Sequence, residues 1–153
     1  MSDWAETRRV AASVIVAGGD VIIGELHLQP SVPYRDGPES PLELLNRADV
    51  FFALALADGG VAFLSKDTVA VVSCATADMP APDPARLGAY SHVEMEVRLS
   101  GGDYRGRADI EMPPTRGRAL DYLNTSGRFF ALVTGTTIRF LNRSHVRSIR
   151  PLD

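Results

Sequence analysis

The residue types that most often carry catalysis are few in this chain and lie far apart in sequence. The histidines are His27, His92 and His145, and the one cysteine is Cys74. None of the histidines stands at metal-ligand spacing from another histidine, the cysteine or a paired acid, so we predict no metal site. Cys74 stands in an apolar context, and we predict that it is a half-buried small hydrophobe. A lone cysteine forms no internal disulfide, which favours a reducing, cytoplasmic setting.

Motifs for nucleophilic catalysis and phosphate binding are also missing from the sequence. It has no Gly-x-Ser-x-Gly elbow. The pairs Gly18-Gly19 and Gly101-Gly102 stand between predicted strands rather than before a helix, so they do not form a phosphate loop. Glu94 and Glu96 lie two apart on a predicted strand and share its outer face, where solvation explains them. We therefore predict a protein that is not an enzyme and uses no cofactor.

Length and composition exclude several further classes. The chain has 153 residues, 45% of them hydrophobic and 23% charged, with a net charge of -3. This composition is typical of a globular protein rather than a disordered one. No apolar run approaches the roughly 20 residues of a membrane span, and the N-terminus lacks the pattern of a secretory signal. Because DNA-binding surfaces need clustered basic residues, we expect no DNA partner.

The strongest signal in the sequence is its similarity to itself. Two elements recur at an offset of 78 residues and a third recurs at 77. The matching segments are Leu42–Asn46 with Leu120–Asn124, Phe51–Leu54 with Phe129–Leu132, and Phe63–Lys66 with Phe140–Arg143. Gly24 and Gly106 correspond upstream. A constant order and spacing of this kind indicates a tandem duplication.

Each copy reads as a set of short strands around one short helix. Alternating apolar residues such as those of Val21–Leu28 predict strands, and glycine-rich pairs predict the turns between them. Ser40-Pro41 followed by Glu43 is a helix-start signature. We predict a mostly β fold of two tandem five-stranded SH3/Sm-like barrels with short helical turns. The predicted first repeat covers 8–74, a Pro-rich linker 75–91, and the second repeat 92–153.

Two elements of the second repeat resemble the motifs of the Sm and Hfq proteins. Gly106 followed by Asp121–Asn124 is similar to the first motif, and Phe140–Val146 is similar to the second. In the first repeat the corresponding residues are Gly24, Glu43–Asn46 and Lys66. The resemblance implies single-stranded RNA binding, in which Asn46 and Asn124 contact a base. It also implies that Lys66, Arg143 and His145 help to hold the RNA.

Other interpretations of these residues stay open. Asn46 and Asn124 are also typical of helix C-caps, where asparagine tolerates the left-handed conformation. Arg8-Arg9 and Asn124–Gly127 resemble, more faintly, the motifs of PilZ domains, which would imply a cyclic-dinucleotide ligand. The chain is also similar to small bacterial domains without an assigned function, in which an acid-x-Leu-Asn element precedes a Phe-rich strand.

Charge is divided unevenly between the two halves of the chain. Residues 1–92 carry 6 basic and 12 acidic groups, whereas residues 93–153 carry 10 basic and 7 acidic groups. Such a chain could associate head to tail, although the charges could equally be scattered over solvated faces. We predict a non-catalytic interaction or assembly module whose partner is another protein or a second copy. The loop Gln29–Ser40, which contains Tyr34 and Arg35, is a candidate binding segment.

Overall fold

A computed structural model describes residues 8–34, 37–80, 90–111, 119–125 and 127–152, and these residues are mostly β, as predicted. Ten strands form one antiparallel sheet in the order β10-β6-β7-β8-β9-β5-β1-β2-β3-β4. The strands are β1 (Arg8–Val16), β2 (Val21–Leu28), β3 (Phe51–Leu56), β4 (Val61–Ser65), β5 (Val69–Ala75), β6 (Tyr90–Leu99), β7 (Gly102–Glu111), β8 (Phe129–Thr134), β9 (Thr137–Asn142) and β10 (Val146–Pro151). The helices are α1 (Pro41–Asn46) and α2 (Ala119–Thr125), and 3-10 turns at Lys66–Thr68 and Arg143–His145 precede β5 and β10.

Both repeats arrange their five strands in the same order and with the same pairing. The first repeat contributes β5-β1-β2-β3-β4, and the second contributes β10-β6-β7-β8-β9. Phe51 pairs with Ser65 in the first repeat, and Phe129 pairs with Asn142 in the second. These are the positions that correspond at the sequence offsets of 78 and 77. Every position of one repeat therefore has a structural counterpart in the other along these strands.

The two repeats share one continuous sheet rather than standing apart. Strand β5 of the first repeat pairs antiparallel with β9 of the second, and β4 and β10 are the outer strands of an open sheet. The sheet extends into both ends of the predicted linker, since β5 continues to Ala75 and β6 begins at Tyr90. Residues 81–89 of that linker lie outside the described residues. The junction between the repeats is thus itself a strand ladder.

One glycine in each repeat lets two strands approach closely. A Cβ added at Gly24 would lie 2.3 Å from the carbonyl oxygen of Ala55, and one added at Gly106 would lie 2.6 Å from that of Val133. Ala55 and Val133 are themselves counterparts at the offset of 78. The glycine that the two repeats share is therefore explained by backbone packing.

The hydrophobic core consists of two clusters that cross the boundary between the repeats. The cluster inside the first repeat includes Phe129 and Phe140 of the second, and the other cluster includes Val71 of the first. Helix α1 begins with the predicted capping box of Ser40 and Glu43. Because each repeat completes its core with side chains of its neighbour, the junction contributes directly to stability.

Candidate interaction surface

Lys66, a predicted RNA-binding residue, is fully buried and caps helix α1. Its Nζ donates hydrogen bonds of 3.0 Å to the carbonyl oxygens of Leu44 and Arg47. Burial lowers the pKa of Lys66, and the nearby carboxylate of Asp49 raises it in part. In this position the ammonium group adds a charged donor at the C-terminal end of the helix, where the Leu44 carbonyl oxygen also accepts from the backbone nitrogen of Arg47.

Arg143, the counterpart of Lys66, also contacts a carbonyl oxygen of the neighbouring helix, α2, but does so at the surface. Its Nη1 donates to the carbonyl oxygen of Leu123 at 2.9 Å, and its side chain is exposed. Asn124, the next residue, is also exposed. The structure therefore brings Asn124 and Arg143 close together on an open surface, whereas their counterparts in the first repeat serve the chain's own structure.

Asn46 joins the two repeats through both atoms of its carboxamide. Its Oδ1 accepts a 2.7 Å hydrogen bond from the backbone nitrogen of Phe129, and its Nδ2 donates one of 3.1 Å to the carbonyl oxygen of the same residue. The left-handed C-cap interpretation of Asn46 and Asn124 is wrong, since both belong to helices and no described residue except glycine has a positive φ. Asn46 instead extends the ladder of β8 with its side chain.

The turn before β10 is tied to the turn before β5 by His145 and by Asn142, a residue that sequence reasoning missed. His145 Nε2 lies 2.7 Å from the carbonyl oxygen of Asp67. The fully buried Asn142 donates from Nδ2 to the carbonyl oxygens of Lys66 at 3.0 Å and Val69 at 2.8 Å. The only sign of this role in the sequence is that Asn142 is a polar residue at the end of an apolar strand. Its partners are carbonyl oxygens of residues 76 and 73 positions away in the chain, so no local pattern identifies them.

Exposed hydrophobic side chains gather on the outer face of β2, β3 and β4. Ile23 is 70% exposed, Phe51 58% and Phe63 71%. Val21 and Val61 are exposed as well. All five occupy odd-numbered positions, opposite the buried Leu26 and Leu54, so the alternation of the strands places them on one side of the sheet. We call Val21, Ile23, Phe51, Val61 and Phe63 the outer apolar face.

The fold itself does not require this face to be both apolar and exposed. In the second repeat the counterparts of Phe51 and Phe63 are Phe129 and Phe140, each only 1% exposed because the first repeat packs over them. The counterparts of Val21 and Ile23 are Asp103 and Arg105, and both are exposed. In the second repeat, these strand positions thus hold either apolar residues that the first repeat covers or charged residues that are exposed.

The remaining candidate sites offer little reactive chemistry. Within the described residues, no group of three His, Cys, Asp or Glu side chains is arranged to hold a metal ion. Burial raises the pKa of the Cys74 thiol to about 12. A cavity of about 660 Å³ opens between the turns of the β1–β2 and β6–β7 hairpins, with Ser100, Tyr104 and His145 as its polar side chains. In the candidate loop Gln29–Ser40, Tyr34 is exposed, and Arg35 lies outside the described residues.

Comparison with protein-family models, with curated proteins and with solved structures finds no match to this chain. None of the helices that the structure describes has the length and apolar character needed to cross a membrane.

Proposed function

We propose that this protein is a non-catalytic interaction or assembly module, built from a duplicated small SH3/Sm-like β-barrel, that binds a polypeptide through its outer apolar face. The observation that carries the proposal is the exposure of Phe51 and Phe63 beside an open sheet edge. Contiguous exposed apolar residues of this kind mark interaction surfaces in soluble proteins. The lone, buried Cys74 suits the reducing cytoplasm, which is the location we propose.

The position of this face supports a role in assembly. Two of its residues, Val61 and Phe63, lie on β4, an edge strand whose outward backbone groups have no partner strand among the described residues. Natural proteins usually protect such edges with charged residues or proline, yet β4 reads Val-Ala-Phe-Leu-Ser. An edge that is both apolar and unprotected suits the addition of a strand from a partner.

A photoreactive phenylalanine analogue at Phe63 tests the proposal, both in the purified protein and in cells. We expect a covalent adduct with a polypeptide in at least one of these samples. The same analogue at Tyr104, which lies on the second repeat, is the control for random collisions. If position 63 gives no polypeptide adduct in either sample, the proposed function is wrong.

A second candidate function is Sm-like binding of single-stranded RNA, and its specific support is the closeness of Asn124 and Arg143 on the surface of the basic repeat. Binding of a uridine-rich strand should be strongest at low salt, where the phosphate contribution is largest. Arg143→Ala should weaken this binding, with Arg9→Ala on the first repeat as the matched control. Absence of binding at low salt would remove this candidate.

A further inference from the structure

We infer that the partner of the outer apolar face is a second copy of this chain, whose β10 pairs with β4 of the first. The inference rests on the proposed function and names the partner for that surface. It follows from the way in which the two repeats already bind each other within one chain.

The two strands that form the junction inside the chain each have a counterpart that pairs on one side only. The strand β5 of the first repeat pairs with β9 of the second. The counterpart of β5 is β10, and the counterpart of β9 is β4, since both correspond at the offset of 77. These two counterparts are the edge strands at opposite ends of the sheet that the described residues form. Each chain therefore presents both halves of a junction that it has already formed once internally.

The internal junction also fixes the register of the proposed one. Val72 pairs with Phe140, and Val71 pairs with Leu141. The counterpart of Val72 is Ile149 and the counterpart of Phe140 is Phe63, so Ile149 of one chain would lie opposite Phe63 of the next. In the same way, Ser148 would lie opposite Leu64. The strands β10 and β4 would pair antiparallel, as β5 and β9 do in the internal junction.

Side-chain burial supports the same arrangement. Phe129 and Phe140 are covered at the internal junction, while their counterparts Phe51 and Phe63 are the exposed rings of the first repeat. Docking of a second repeat's β10 along β4 would cover Phe51 and Phe63 in the same manner. Burial of large apolar rings of this kind is the main source of free energy in association.

The external junction differs from the internal one at several positions, and two of these change the backbone pairing and the side-chain bridge. The second repeat has Pro151 at the position of Cys74. The backbone nitrogen of Leu152 donates to the carbonyl oxygen of Glu94 on the β6 side. Because neighbouring residues of a strand alternate in direction, the nitrogen of Pro151 faces the open edge. The outward ladder therefore depends on the backbone nitrogen of Ile149, the counterpart of Val72. Asp49 replaces Gly127, at which an added Cβ would lie 2.6 Å from the Asn46 carboxamide, so Asn124 has no room to repeat the bridge of Asn46.

The charge distribution favours this heterologous contact over a symmetric one. The acidic half of one molecule would meet the basic half of the next, since the halves carry net charges of -6 and +3. Because each chain has one free edge of each kind, association continues until the chains close into a ring or extend as a filament.

Sedimentation equilibrium of the full chain tests the inference. We expect masses above 16.5 kDa that rise with protein concentration. Phe63→Ser should weaken association at least about tenfold, because it removes the ring opposite Ile149. Arg9→Ser is the control: Arg9 is exposed, but it lies on β1, outside the outer apolar face and away from β4. Association should therefore persist in this variant.

Mixing two defective chains provides a test that does not depend on a single variant. Ile149→Pro removes an outward donor from β10 and leaves β4 intact, whereas Phe63→Ser weakens β4 and leaves β10 intact. Each variant alone should be monomeric, and the mixture should form a dimer through its one intact junction. In the wild-type protein, adducts from the photoreactive residue at position 63 should map to β10.

The outcomes separate this inference from the function on which it rests. A purified chain that stays at 16.5 kDa at every concentration, together with a cellular adduct to a different protein, overturns the second-copy assignment and leaves the proposed function standing. Oligomers that survive both Phe63→Ser and Ile149→Pro overturn the strand-pairing geometry. Absence of any polypeptide adduct overturns both.

Discussion

Asn46 of the first repeat holds the backbone of Phe129 in the second repeat at both of its polar atoms, with hydrogen bonds of 2.7 and 3.1 Å. The two residues are 83 positions apart in the chain. Phe129 begins β8, so the carboxamide fixes the start of that strand against helix α1. The side chain of Phe129 then packs into the core of the first repeat. The Asn46 side chain thus fixes both the hydrogen bonding at the start of β8 and the burial of the Phe129 ring.

Asn46→Ala should lower the free energy of unfolding by about 2 kcal/mol, because it leaves the backbone N–H and C=O of Phe129 without these partners. Asn124→Ala is the matched control, since Asn124 occupies the corresponding position on α2 but makes no such bridge among the described residues. It should change stability by less than about 0.5 kcal/mol. Urea unfolding followed by circular dichroism measures both values. Equal losses in the two variants would contradict the bridging role of Asn46.

Lys66→Met should also destabilise the protein, by about 2 kcal/mol, because the carbonyl oxygens of Leu44 and Arg47 lose a charged donor inside the structure. Methionine keeps most of the side-chain volume, which isolates the loss of the ammonium group. Arg143→Met removes the corresponding contact at the surface and should cost less than about 1 kcal/mol. Thermal unfolding of the two variants is compared. A more stable Lys66→Met protein would show that the cost of burying the charge exceeds the value of its hydrogen bonds.

The β class, the capping box and the strand positions were accessible from the sequence because they depend on local patterns. Alternation in Val21–Leu28 predicts a strand whatever lies beside it. Ser40 and Glu43 satisfy each other within one helical turn, so their roles are also readable locally.

The roles of the shared polar positions were not accessible, because they depend on contacts across the chain. Lys66 and Arg143 correspond in sequence, yet one is buried and the other exposed. The difference arises from what covers each repeat: the first repeat packs against the second at β5, whereas no described strand pairs with the outer side of β10. A motif match treats both positions alike, while the open sheet makes them different.

Gly24→Ala should destabilise the protein by about 3 kcal/mol, since the new methyl group would lie 2.3 Å from a backbone oxygen that cannot easily move. Gly101→Ala is the matched control, because a Cβ at that position meets nothing within 4 Å. It should be neutral or slightly stabilising. Chemical denaturation measures both variants. A tolerated Gly24→Ala substitution would mean that β2 and β3 can separate at this point.

His27 should make the protein less stable in acid. Burial lowers the pKa of His27 from 6.5, Arg9 lowers it further, and Glu25 raises it in part. Between the lowered pKa and 6.5 the unfolded chain binds more protons than the folded one, so the free energy of unfolding falls as the pH decreases through this window. His27→Gln should flatten that slope. Parallel pH profiles for the two proteins would contradict this assignment.

Cys74 should report on the opening of the junction between the repeats. It lies on β5 opposite Ile138 of β9, and its burial together with Asp78 raises the thiol pKa to about 12. Since the thiolate is the reactive form, a disulfide reagent should label the folded protein very slowly and the urea-unfolded protein rapidly. Asn46→Ala should accelerate labelling under native conditions, because it weakens the contact that holds β8, and through it β9, against the first repeat. Asn124→Ala should leave the rate unchanged. If both variants label at the wild-type rate, the thiol is exposed by a motion that does not involve the junction.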